Sequence, residues 1–222
     1  MCAPSRSKVT VVGKGGAGKS LVAGTLCCAL ARHGERVLPL DLDTMPGLGP
    51  SLGLDAAQAR LPGGHAERVE GKGWWQVKRG ARPAALVDRY SATGPDGIRF
   101  LELGKLPHRV EPSAKAVLPA RRLVRAGVDT HLVANNVRDA ADLAPILVVA
   151  NRVRDPRDLE LIRAALPDRE LAMVPEDPAI IEANRQGRSP VETAPASPGV
   201  RAIASLAARL SSAVATARHP AV

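Results

Sequence analysis

Short apolar runs alternate with stretches of helical period along this chain. Residues 8–12 form an apolar run that predicts a strand, residues 20–32 carry a helical pattern, and 36–40 predict a second strand. Pro46, Gly47, Gly49 and Pro50 then mark a loop. Residues 55–97 have little periodicity and predict only a short helix, loops and a turn at Trp74-Trp75. Residues 98–103 read as a strand, and 112–125 as a helix with Val117, Leu118, Leu123 and Val124 on its apolar positions. The last third predicts a strand at 145–150, a helix at 156–166, a strand at 170–174, a helix at 178–186 and a final helix at 199–217. Strands alternating with helices predict an α/β fold in three layers, Rossmann-like, with a mostly parallel central sheet. The 222 residues suit a single domain, 1–222.

Composition narrows this picture. Aromatic residues make up 2% of the chain, so the core is built from Ala, Val, Leu and Ile, which suits strands buried on both faces. No apolar run approaches the roughly 18 residues of a membrane span. The stripe Ile203, Leu206, Ala207, Leu210 and Val214 on the last helix reads as packing on the domain's own sheet, not on a membrane. With no apolar leader stretch at the N-terminus, the expected location is cytoplasmic. Cys2, Cys27 and Cys28 lack disulfide or metal spacing, and Cys27 and Cys28 read as small buried hydrophobes. The net charge of +9 is spread along the chain among acids, and the scarcity of aromatic residues argues against single-stranded nucleic acid. Weak, non-specific attraction to DNA stays open.

The chemistry concentrates after the first strand. Gly13, Lys14, Gly15, Gly16, Ala17, Gly18, Lys19 and Ser20 read G-x-x-x-x-G-K-S between a strand and a helix. Glycines let successive N–H groups turn onto an anion, Lys19 reaches the β- and γ-phosphates, and the Ser20 hydroxyl holds Mg²⁺. The helix N-terminus adds its dipole. The cofactors this motif implies are ATP and Mg²⁺.

Lys14, directly after the first glycine, makes the loop similar to the deviant phosphate loop of the MinD/ParA family of P-loop ATPases. That family includes the accessory ATPases of nickel and carbon-monoxide-dehydrogenase maturation and the nitrogenase iron protein. The resemblance implies a P-loop NTPase fold and an ATP-dependent homodimer, with Lys14 reaching the phosphates of the opposite subunit. The segment 37–43 resembles the family's second strand and first switch. There Asp43 matches the carboxylate that orients the attacking water, and Asp41 an acid near Mg²⁺. Both acids also suit a turn-capping role. Residues 174–180 resemble the family's V-P-x-D-x-x-I loop along the adenine, which places Pro175 and Asp177 at the base. Asn151 resembles the base-contacting asparagine.

One family motif has no intact match: an apolar strand ending D-x-x-x-G, the second switch. Its strand is expected to be missing, which would open a gap in the sheet. Asp129 and Asp88 are the substitutes in the chain. The segment 133–143 also recurs as 149–159 with eight of eleven positions identical, so Asn135 duplicates Asn151 and only one copy can occupy the original place. The expected function is an ATP-driven dimerisation switch for a client protein. The alternatives are a nucleotide-binding scaffold without hydrolysis and a ParA-like DNA-partitioning ATPase.

Overall fold

A computed structural model describes residues 8–41, 43, 46–55, 59–68, 75–102, 131–135 and 147–218. In chain order the elements are β1 (Lys8–Val11), α1 (Lys19–Arg32), β2 (Val37–Asp41), α2 (Leu48–Ser51), β3 (Ala66–Arg68), β4 (Trp75–Val77), α3 (Pro83–Tyr90), β5 (Ala92–Thr93) and β6 (Arg99–Glu102). There follow β7 (His131–Asn135), β8 (Leu147–Val153), α4 (Arg157–Ala165), β9 (Glu170–Pro175), α5 (Pro178–Arg185), α6 (Pro190–Thr193) and α7 (Pro198–Arg218).

The main sheet has the order β1-β7-β2-β6-β5, parallel except for the antiparallel β5. Strands β8 and β9 pair in parallel as a separate two-stranded sheet, and β3 and β4 pair antiparallel. Every residue of β2 is buried. Val37 and Phe100 join the core around α1, while Leu38, Leu40 and Leu101 alternate to the opposite face and are equally inaccessible. Burial on both faces is what a parallel sheet requires. Helix α1 is buried from Val22 to Ala31 and has no polar face, which fits a helix enclosed by the core.

The predicted stripe of α7 packs inward: Ile203, Leu206 and Ala207 are buried in the same cluster as α1. Among the described residues no helix is long and apolar enough to cross a membrane. Cys27 and Cys28 are buried in α1, and burial pushes the Cys28 thiol up to about 11 despite a hydrogen bond donated by the Ser189 hydroxyl.

Three expectations change. Trp75 lies in strand β4, not in a turn, and Trp74 lies outside the described residues. The stretch 55–97 holds α3 and four residues or fewer in each of β3, β4 and β5, elements too short to show a period. Most consequentially, no gap lies between β1 and β2: β7, whose last three residues open the first copy of the repeat, pairs with β1 on one side and β2 on the other. The predicted 112–125 helix and Asp129 lie outside the described residues.

Candidate functional site

The parallel strands end along one edge, where α/β folds of this kind place their ligands. Val11, the last residue of β1, is in register with Asn135, the last of β7, and Asp41 closes β2 in register with Glu102 of β6. The 13–20 loop therefore leaves the sheet beside Asn135 and one strand away from Asp41.

Gly16 and Gly18 have φ of +80° and +84°, left-handed values that a side chain disfavours and that fold the loop back on itself. The Ala17 amide donates to the Lys14 carbonyl at 3.2 Å, and the loop passes into α1. A Cβ added at Gly15 or Gly16 would meet nothing within 4 Å, so there is room for an anion against the backbone. The residues present thus fit a polyphosphate.

Lys19 lies against Asp43, Nζ to Oδ2 at 3.8 Å, with both side chains largely shielded. Asp41 is employed differently. Its Oδ1 accepts from the Asp43 amide at 3.1 Å, and its Oδ2 accepts from the Gly47 and Leu48 amides, each at 2.9 Å. Asp41 shapes the turn that carries Asp43, and a Cβ on Gly47 would come within 3.2 Å of the Ser20 hydroxyl. Ser20, Asp41 and Asp43 are thus brought together, while Lys14 is exposed at the rim.

A second cleft adjoins the loop, lined by Leu21, Asn151, Val174, Pro175 and Ile181. The Asn151 amide Nδ2 donates to the Ala17 carbonyl at 2.9 Å, so this cleft is continuous with the phosphate loop. Asp177 also borders it, but its oxygens are directed into the fold. Oδ1 accepts from the Ala179 amide at 3.0 Å, capping α5, and Oδ2 accepts from the Gly199 amide at 2.8 Å, at the start of α7. Burial pushes this carboxyl up; the hydrogen bonds from Ser197, Gly199, Ala179 and Ile180 outweigh it and hold the group below its ordinary value.

Asp88 sits on the exposed face of α3, paired to Arg99 at 2.7 Å, and is an ordinary surface ion pair. Glu102 escaped the sequence reading although it lies within the strand predicted over 98–103. It is 2% exposed, its Oε1 accepts from Arg60 at 2.7 Å, and Oε2 has no partner among the described residues. Its only signal in the sequence was a carboxylate set between Leu101 and Leu103 in an apolar run. Among the described residues no group of three or more His, Cys, Asp or Glu side chains is arranged to hold a metal ion.

The sequence pattern of the CobQ/CobB/MinD/ParA nucleotide binding domain matches residues 8–191. The chain belongs to that family. Its fold is similar to MinD of Pyrococcus horikoshii in complex with Mg-ADP, at a TM-score of 0.69 and 21% identity, covering 92% of this chain and 95% of that one. It is also similar to MinD of Pyrococcus furiosus, with a TM-score of 0.65, 20% identity and 94% and 99% covered. A ParA family ATPase from Chlorobium tepidum gives 0.62 at 15% identity, with 92% and 99% covered. These likenesses show the fold: an α/β P-loop NTPase with a parallel sheet. A local stretch of 57 residues is 43% identical to the carbon monoxide dehydrogenase accessory protein CooC of Rhodospirillum rubrum. That stretch is 25% of this chain and 22% of that protein. In this member of the CobQ/CobB/MinD/ParA family, one edge of the sheet brings together the 13–20 loop and the ends of β7 and β2, with Asp41 closing β2 and Asp43 just beyond it.

Proposed function

We propose that the chain binds Mg²⁺-ATP on the 13–20 loop, and that occupancy controls the pairing of two copies and through it a client protein. The observation that carries this reading is the Lys19–Asp43 pair, which sets the loop's cation and its switch carboxylate face to face beside Ser20. The P. horikoshii MinD structure, a complex with Mg-ADP, supports the choice of ligand. The loop amides and Lys19 take the phosphates, Asn151 and Pro175 border the base, and Asp177 holds the turn that presents Pro175. Ser20 would hold the ion, with Asp41 behind it. Bound Mg²⁺-ATP supplies a γ-phosphoryl group open to attack by water, a reaction governed by positioning and charge. Asp43 orients that water by accepting its hydrogen bond. Lys14, exposed at the rim, reaches the phosphates held by the second copy.

A second reading, a scaffold that holds nucleotide without turnover, is favoured by β7. The strand beside β1 ends on Asn135, an amide, at the register of Val11. The carboxylates described at this edge are already engaged: Asp41 by amides, Asp43 by Lys19 and Glu102 by Arg60. Calorimetric titration of Mg²⁺-ATP into the purified chain separates the two. Heat flow that persists after each injection means turnover, and a single saturating heat means a holder. In either case Lys19→Ala is expected to abolish binding, and unchanged ATP affinity in that variant would sink the assignment.

A further inference from the structure

Three independent features converge on one side chain. Strand β8 runs in register with β9 up to Asn151 opposite Val174, then slips so that Val153 faces Pro175. The extra residue in this bulge is Arg152, whose φ of +60° is an unfavourable left-handed value for a residue with a side chain. Bulges re-aim neighbouring side chains, and strain of this kind persists only where the surroundings enforce it. The side chain re-aimed here is Asn151, and its target is the backbone of the phosphate loop: Nδ2 donates to the Ala17 carbonyl at 2.9 Å. A carbonyl oxygen only accepts, so the amide nitrogen must face it. The loop in turn makes room. A Cβ at Gly18 would lie 2.3 Å from Asn151 Nδ2, so no residue but glycine admits this contact, apart from the φ of +84° that also requires it.

We propose that Asn151 is a positioning residue of the phosphate loop. It fixes the peptide that joins Ala17 to Gly18, and so the direction of the Gly18 N–H and the entry into α1, whether or not a base occupies the adjoining cleft. Anchoring the carbonyl of Ala17 turns that peptide's amide the opposite way, toward the position of a phosphate. This inference rests on the nucleotide reading above and extends it: the residue bordering the base also organises the site for a ligand that has no base.

Inorganic tripolyphosphate is therefore the probe. Mg²⁺-ATP and Mg²⁺-tripolyphosphate are titrated by calorimetry into the wild-type chain, Asn151→Ala and the isosteric Asn151→Asp, and the thermal unfolding of each ligand-free protein is recorded. The expected result for Asn151→Ala is a loss of about tenfold for tripolyphosphate as well as ATP, the scale of one hydrogen bond, with the unfolding midpoint retained. Asn151→Asp keeps the shape, lacks the donor and adds a negative charge, so it loses at least as much. Weaker ATP binding with undiminished tripolyphosphate binding overturns the inference, because Asn151 then serves the base alone. Equal binding of both ligands by all three proteins overturns it too. A wild-type chain that binds neither ligand removes the nucleotide reading itself, and this inference with it.

Discussion

Asp41 and Asp43, two residues apart on one loop, show how backbone partners decide what a carboxylate can do. Asp41 accepts three amide hydrogen bonds and is a structural post, whereas Asp43 is turned to Lys19. Asp177 repeats the lesson at the other end of the cleft. The motif places it at the base, while its two oxygens secure the starts of α5 and α7. Replacing it with asparagine turns an NH₂ group toward a backbone donor, so Asp177→Asn should cost about 1–2 kcal/mol in urea unfolding at neutral pH. The folded carboxyl sits below its ordinary value of 3.8, so its stabilisation is complete above that pH. It is lost as pH falls through the folded value. The difference between wild type and variant should therefore hold from pH 7 to 5 and shrink in more acid solution. A difference that grows on acidification would show that the carboxylate is not what stabilises the two starts.

At the scale of elements, legibility followed length and period. The strand–loop–helix opening, β6, β8, α4, β9, α5 and α7 were readable because each run is bounded by Gly or Pro and has a definite period, whereas the one-turn α6 was not. Predicted and observed ends differ by a few residues at most; the helix predicted over 178–186 runs Pro178–Arg185. Strands β3, β4 and β5 span two or three residues and carry no periodic signal. Strand β7 was hidden for another reason. Its last three residues, Val133-Ala134-Asn135, repeat Val149-Ala150-Asn151 of β8, and nothing in a duplicated segment says which copy enters which sheet. Its place emerges only from pairing, where it lies between β1 and β2. In the site, the phosphate loop was fully legible, while the grip of Asn151 on Ala17 was not, because it joins positions 134 residues apart. Close approach between elements was equally invisible. A Cβ on Gly199 would lie 2.7 Å from Ile180 Cδ1 and 2.9 Å from Asp177 Cβ, where α7 starts against α5. Gly199→Ala is expected to lower the stability by about 1–3 kcal/mol, read from the urea midpoint. An unchanged midpoint would mean that the two helices separate at no cost.

The whole molecule carries +9, and much of its surface charge is tied up locally in pairs such as Arg32–Asp96, Arg154–Glu176 and Arg209–Glu170. Exposed pairs of this kind contribute little to stability. Lys14 stands apart, an exposed cation on the loop that the family resemblance assigns to the second subunit. Lys14→Ala is expected to bind Mg²⁺-ATP within about threefold of wild type, as suits an exposed charge, and to lose the ATP-dependent shift to dimer in sedimentation velocity. Equal dimer content in both proteins refutes that role. One architectural fact remains to be followed through. The phosphate loop springs from β1 in the five-stranded sheet, and the adjoining cleft is built on β8 and β9, which among the described strands pair only with each other. The Asn151–Ala17 bond therefore crosses a seam in the scaffold. If the proposed nucleotide sits in both places it becomes a cross-brace, and part of its binding energy would appear as stiffness of the protein. On the proposed reading, adenosine alone would touch the β8/β9 side of that seam and a polyphosphate alone the loop side, so the intact nucleotide would add a bridge to the shared core that already joins them.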